Sequence, residues 1–129
     1  MFFDRVGKYW PEALSIVRIV IGLLFLEHGT SKLFGFPTPA MAQPAMWSLM
    51  WVQGVIEVAG GALFTVGLFT RCVAFVLAGD MAFAYFMAHA PKSLFPLLNG
   101  GDAAVLYCFI FLLYFVTGPG RWAVSGTTK

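Results

Sequence analysis

Four apolar stretches, each close to the length of a bilayer crossing, make up most of this chain. That feature limits its folding more than any other. They run from Ala13 to Phe34, Trp47 to Phe69, Cys72 to His89 and Asp102 to Thr117. A membrane span needs roughly 17–25 residues at about 1.5 Å rise each, which the last stretch reaches by including Gly118 or by sitting in thinned bilayer. A soluble fold of 129 residues could not hide so much apolar surface, since small domains bury a modest share of what they expose. The chain is 60% hydrophobic and 11% charged, against about 25% charged in a soluble domain. Lipid offers the backbone no hydrogen-bond partner, so the stretches must be helices. The expectation is one all-α domain over residues 1–129, a four-helix transmembrane bundle with spans at 13–34, 47–69, 72–89 and 102–118.

Breakers separate the spans. Phe36-Pro37-Thr38-Pro39 ends the first, and Pro44 precedes the second. Thr70-Arg71 reads as the turn between the second and third. Pro91 and Pro96 bracket the next loop, and Gly118-Pro119-Gly120 stops the fourth helix. Asn99-Gly100-Gly101-Asp102 reads as a helix start, with Asn99 as cap and an acid in the first turn. The loop from Ser93 to Leu98 is too apolar for open water. It is expected to lie in the membrane interface or to fold over the outer mouth of the bundle as a lid. Arg5, Lys8, Arg71, Arg121 and Lys129 fall on one side of a four-span topology, and Lys92 and the helix-end Lys32 on the other. The positive-inside rule then puts both termini in the cytoplasm, for a protein of the bacterial inner membrane. Trp10 and Trp122 would mark the inner interface, Trp47 and Trp51 the outer one. No cleaved leader is expected, because the first apolar segment outruns a signal core. A net charge of +2 from scattered basic residues gives no track for nucleic acid.

Polar groups inside a membrane are costly, and each needs a reason. At 100° per residue, Arg18, Gly22, Phe25, Gly29 and Lys32 form one stripe on the first helix, with His28 on its shoulder. Gln53, Glu57, Gly60, Phe64 and Gly67 align on the second, Met81, Tyr85, Ala88 and His89 on the third, and Ala103, Tyr107, Ile110 and Tyr114 on the fourth. Glu57 lies about ten residues into its helix, roughly 15 Å deep. It therefore needs a partner, and Lys32, His28 or His89 can supply one. The expected site is a cavity in the outer half, with Glu57, His28 and His89 as its reactive groups and Lys32, Gln53, Tyr85, Asn99 and Tyr107 as ligand-binding groups. Arg18 lies near the inner end and is expected to snorkel to the interface. Glu27 either faces water or pairs in an oligomer, and Asp80 sits near mid-membrane on the side away from His89. Gly54 with Gly61, and Gly60 with Gly67, are spaced for close helix approach.

Other chemistry is excluded by what the sequence lacks. There is no Cys-x-x-Cys, phosphate loop, dinucleotide fingerprint, Gly-x-Ser-x-Gly or His-Glu-x-x-His. Cys72 and Cys108 fall on opposite sides of the membrane, too far apart for a disulfide. Adjacent Glu27 and His28 diverge by about 100° on a helix and chelate poorly. No metal site is expected from the spacing of ligand-type residues.

The chain resembles the DoxX-like family of small membrane proteins. The resemblance is carried by Phe25-Leu26-Glu27-His28-Gly29-Thr30-Ser31-Lys32-Leu33-Phe34-Gly35, by Gly54-Val55-Ile56-Glu57-Val58-Ala59-Gly60-Gly61 and by Gly67-Leu68-Phe69-Thr70-Arg71. Ala84-Tyr85-Phe86-Met87-Ala88-His89, Asn99-Gly100-Gly101-Asp102, Leu106-Tyr107 and Gly118-Pro119-Gly120-Arg121-Trp122 complete it. It implies a four-helix membrane fold and, more loosely, a link to thiosulfate:quinone oxidoreduction, to quinone or catechol stress, or to redox-defence membrane complexes. It carries functional weight to His28, Lys32, Glu57, His89 and Asn99. Asp102 stands where the family more often has Glu, and Glu27 and Asp80 look particular to this chain.

Three functions stay open at this level. The first is a redox-associated subunit, an oxidoreductase component, that binds a quinone or similar small ring. The second is a non-enzymatic partner subunit or small-solute carrier. The third is a metal or haem site on His28 and His89. The implied partners are the lipid bilayer, a redox partner subunit and further copies of the chain.

Overall fold

The computed structural model describes residues 1–39 and 44–125, and all regular structure among them is helical. The elements are α1 (Phe2–Gly7), α2 (Trp10–Phe34), α3 (Leu49–Val66), α4 (Thr70–Ala84), α5 (Pro96–Asn99) and α6 (Asp102–Thr117). A π-helical turn, Tyr85–His89, extends α4 without a break. Three helices are long and apolar enough to cross a membrane: α2, α3 and the continuous run Thr70–His89. The fourth, α6, has 16 residues and spans about 24 Å, the short crossing its sequence foretold. The four long helices form the bundle, with α2 on α3, α3 on α4, and α4 on α6.

Local chemistry sets the helix ends. Pro11 occupies the first turn of α2, where its missing N–H is no loss. Gly35 closes that helix in the left-handed conformation at φ 69°, its N–H reaching Ser31 O and Thr30 O. Ser48 caps α3 by accepting from Trp51 N at 3.2 Å. The connection from α3 to α4 departs from the expected Thr70-Arg71 turn. Gly67 ends α3 at φ 78°, Phe69 sits at φ 52°, and Thr70 and Arg71 already belong to α4. Glycine takes the left-handed conformation at no steric cost, so the chain reverses there. Asn99 also departs from its expected role. The residue before α6 is Gly101, and no side chain caps that helix. Asn99 instead ends α5 and accepts from Gly101 N at 2.8 Å.

Glycine lets α2 and α3 touch backbone to backbone. A Cβ added to Gly22 would fall 2.2 Å from Thr65 Oγ1 and 2.9 Å from Thr65 Cα. One added to Gly29 would fall 2.8 Å from Val58 N. The glycine rows of α3 divide their work: Gly54 and Gly61 face α2, and Gly60 faces Leu77 of α4. Between the helices lies an aromatic core. Phe111 meets Phe25 at 5.0 Å and Phe64 at 5.1 Å, and Phe64 meets Tyr114 at 5.1 Å, all edge to face.

The end of the bundle where α2 begins and α6 ends is closed by the segment after α6. Arg18 was expected to snorkel, yet it is 1% exposed. Its guanidinium donates to Pro119 O, to Trp122 O and, at 3.4 Å, to Thr65 O. The reason is that Gly118-Pro119-Gly120 turns the chain back under α2, which brings the Pro119 and Trp122 carbonyls to the guanidinium. Trp122 N donates to Ser15 Oγ at 2.8 Å, Arg121 N to Pro11 O at 3.1 Å, and Arg121 pairs with Glu12 at 2.7 Å. Tyr114 OH donates to Leu14 O.

At the other end, the apolar loop does not cover the bundle as a lid. Leu94, Leu97 and Leu98 are exposed, and none of them lines the cavity described below. Their apolar surface suits the membrane interface, the other half of the expectation.

The glycine contact yields a direct test. Gly22→Ala should destabilise the protein by about 1–3 kcal/mol through overpacking. Gly79→Ala, where an added Cβ meets nothing within 4 Å, should leave it unchanged. Thermal unfolding in detergent separates them; equal melting temperatures for the two variants would refute the close α2–α3 contact.

Candidate functional site

A partly buried ion pair joins α2 to α3. Lys32, in the last turn of α2, donates to Glu57 Oε1 at 2.8 Å and to Gln53 Oε1 at 3.3 Å. Gln53 and Glu57 are one helical turn apart, so a single ammonium reaches both. Glu57 is 1% exposed. Its second oxygen, Oε2, is buried and has no hydrogen-bond partner among the described residues, and the same holds for Gln53 Nε2. Gly29 makes this arrangement possible, since a Cβ there would lie 2.9 Å from Glu57 Cβ. The sequence signal for Gly29 was its place on the Arg18–Lys32 stripe.

Glu57 and Lys32 open onto a cavity of about 360 Å³. His28, Gln53, His89 and Tyr107 share its lining, so six of the eight residues expected at the site meet around one space. Phe25, Met50 and Met81 supply apolar walls. Sequence reading left all three out of the site, because an apolar side chain in a membrane helix carries no mark separating wall from core. Tyr107 stands edge-on to His28 at 5.7 Å and to Phe25 at 5.4 Å. On its outer side the cavity meets a second hollow of about 260 Å³, which holds Glu27, Ser31 and Thr38. His28 and Lys32 line both spaces, at the mouth between them. Glu27 is exposed there.

Tyr85 and Asn99 are not in the lining; they stand behind His89. Asn99 Nδ2 donates to Tyr85 OH at 3.1 Å and to Ser93 O at 3.0 Å. His89 Nδ1 faces Asn99 O at 3.0 Å, and His28 Nδ1 faces Leu24 O at 2.9 Å. A carbonyl can only accept, so Nδ1 carries the proton in each ring, and Nε2 is left as the acceptor of the neutral imidazole. The π turn sets His89 within this network: Ala90 N reaches back five residues to Tyr85 O at 2.9 Å, a local widening often found at functional sites. Gly101 lets Tyr85 pack close, since a Cβ there would fall 2.7 Å from its ring. Among the described residues, no three His, Cys, Asp or Glu side chains gather as a metal site.

The arrangement can hold a small ring. Its apolar walls take ring faces, Lys32 and any protonated imidazole donate, and Glu57 Oε2 and the two Nε2 atoms accept. Breaking the ion pair tests its weight. Lys32→Met strands a buried carboxylate and should cost about 3–5 kcal/mol at alkaline pH. The double variant Lys32→Met/Glu57→Met should regain most of that in thermal unfolding. A double variant no more stable than the single would show that the pair does not hold α2 to α3.

Comparison with known proteins agrees with this architecture. The DoxX family profile matches residues 13–90. A Haemophilus influenzae protein described as uncharacterized is 40% identical over 131 residues, covering 95% of each chain. An uncharacterized membrane protein of Mycobacterium tuberculosis is 29% identical over 142 residues, covering 89% of this chain and 80% of its own. No solved structure matches. With more than half its length in the family profile and its helices apolar enough to span a bilayer, the chain is a membrane protein of the DoxX family.

Proposed function

We propose that the chain is a redox-associated membrane subunit whose outer-half cavity binds a quinone or a similar hydroxylated ring. One observation carries the reading: Glu57, 1% exposed, spends one oxygen on Lys32 and keeps the other unpartnered beside the cavity. A buried polar atom without a partner is costly. The hydroxyl of a reduced ring fits it, because a carboxylate accepts both the hydrogen bond and the proton. Lys32 holds the ring's oxyanion or carbonyl, and Phe25 and Tyr107 take its apolar faces. His28, at the mouth, and His89, braced by Asn99, offer Nε2 atoms to a second ring oxygen. In this reading, the ring's electrons pass to a partner subunit, while this chain binds, orients and deprotonates.

The orientation belongs to the same proposal. Lys32 is engaged inside the bundle with Glu57, so it is not a free loop charge. Lys92 is then the remaining basic residue on the outer side, against Arg5, Lys8, Arg71, Arg121 and Lys129 on the other. This supports cytoplasmic termini in a bacterial inner membrane.

Two measurements test the reading. A short-tailed hydroquinone, titrated by tyrosine and tryptophan fluorescence, should bind the wild type. Glu57→Gln should weaken it about 10–100-fold, the loss of one hydrogen bond to a charged group. Unchanged affinity in that variant removes Glu57 from the site. For orientation, a membrane-impermeant thiol reagent on intact cells, with Cys72 and Cys108 replaced by Ser, should label Ser93→Cys and spare Gly7→Cys. The reverse pattern would overturn the topology.

A further inference from the structure

Beside the cavity, on the far side of Gln53, lies a carboxyl that the proposed function does not use. Asp80 of α4 and Gln53 of α3 line a groove of about 200 Å³ between those helices, walled by Leu49, Val76 and Phe83. Gln53 also lines the ring cavity, so its side chain separates the two spaces. Asp80 Oδ2 is buried without a hydrogen-bond partner, as are Gln53 Nε2 and Glu57 Oε2. Three of the five such atoms among the described residues thus belong to side chains that line the groove, the cavity or both. The charged and titratable groups around Gln53 are Asp80 in the groove and, around the cavity, Lys32 and His28 from α2, Glu57 from α3, His89 from the π turn and Tyr107 from α6.

The charge balance is uneven. One ammonium, Lys32, contacts Glu57 and Gln53, and Gln53 in turn borders Asp80, so two carboxyls flank a single cation. Two carboxylates and one ammonium leave a net negative charge at membrane depth, which one proton removes. We propose that Asp80 and Glu57 hold one proton between them across Gln53. In the resting protein it sits on Asp80, so that Glu57 stays ionised against Lys32 and ready to accept. Asp80 is thus a positioning residue: it sets the charge state of Glu57 without touching a ligand. Its role in catalysis rests on the reading of Glu57 as proton acceptor, but the shared proton does not need a ligand.

Infrared spectroscopy of the full chain in micelles of an ester-free detergent, at neutral pH and without ligand, reads the proton as the carbonyl stretch of a protonated carboxyl. The wild type should show this band. It should vanish in Asp80→Asn and equally in Glu57→Gln, because either change leaves one carboxylate to one ammonium. Asp80→Glu should keep it at a shifted frequency, which separates loss of the proton from loss of the fold. A wild type without the band overturns the proposal. So does a band that survives Glu57→Gln, since Asp80 would then hold a proton of its own. If the band behaves as expected while the hydroquinone fails to bind, the shared proton stands and the ring-binding reading falls.

Discussion

An ion pair between Lys32 and Glu57 is the contact on which the cavity end of this bundle depends. Each charge alone would be expensive at its depth, and each removes the other's cost only at contact distance. That distance is available because α2 and α3 approach at glycines. Gly29 clears the space for Val58 and Glu57, and Gly54 clears it for Lys32 and Leu33. Close backbones and a short ion pair are therefore one constraint, and a side chain at either glycine would separate the partners. The remaining polar groups arrange themselves around the pair. Gln53 shares Lys32 with Glu57, and Tyr107 packs between Phe25 and His28 over the same space.

Much of this was legible from periodicity. The stripe Arg18, Gly22, Phe25, Gly29 is buried as the 100° rule predicts, and Lys32 follows it to the site. Glu57 announced itself by depth alone, since nothing in packing a helix bundle calls for an acid there. The four-helix class followed from lengths and breakers, and the short fourth helix was visible as short. Periodicity fails where the helix stops being an α-helix. The π turn at Tyr85–His89 inserts an extra residue per turn, and no propensity marks that site. Tyr85 and Asn99 looked like ligand groups because they are polar and near the mouth. Their actual contacts, with one another and with the loop at Ser93, depend on how that loop folds back, which residue spacing does not encode.

Arg18 illustrates a different limit. Its depth near the inner end suggested a charge reaching for water, which is the usual behaviour of a long basic side chain. The partners it takes are backbone carbonyls, and backbone is the same at every residue. Only the turn made by two glycines around Pro119 brings those oxygens under α2.

The distance in sequence between Arg18 and its acceptors bears on how the protein is made. Pro119 and Trp122 follow Arg18 by 101 and 104 residues, so α2 leaves the ribosome long before the carbonyls that will satisfy its arginine. Until they arrive, the guanidinium has no backbone acceptor from this segment and must take its hydrogen bonds from water or from lipid headgroups. Emergence of Pro119 and Trp122 then supplies protein acceptors in their place. The seat of α2 thus depends on a segment made much later than the helix itself, and truncation before Trp122 would leave Arg18 without one of its acceptors.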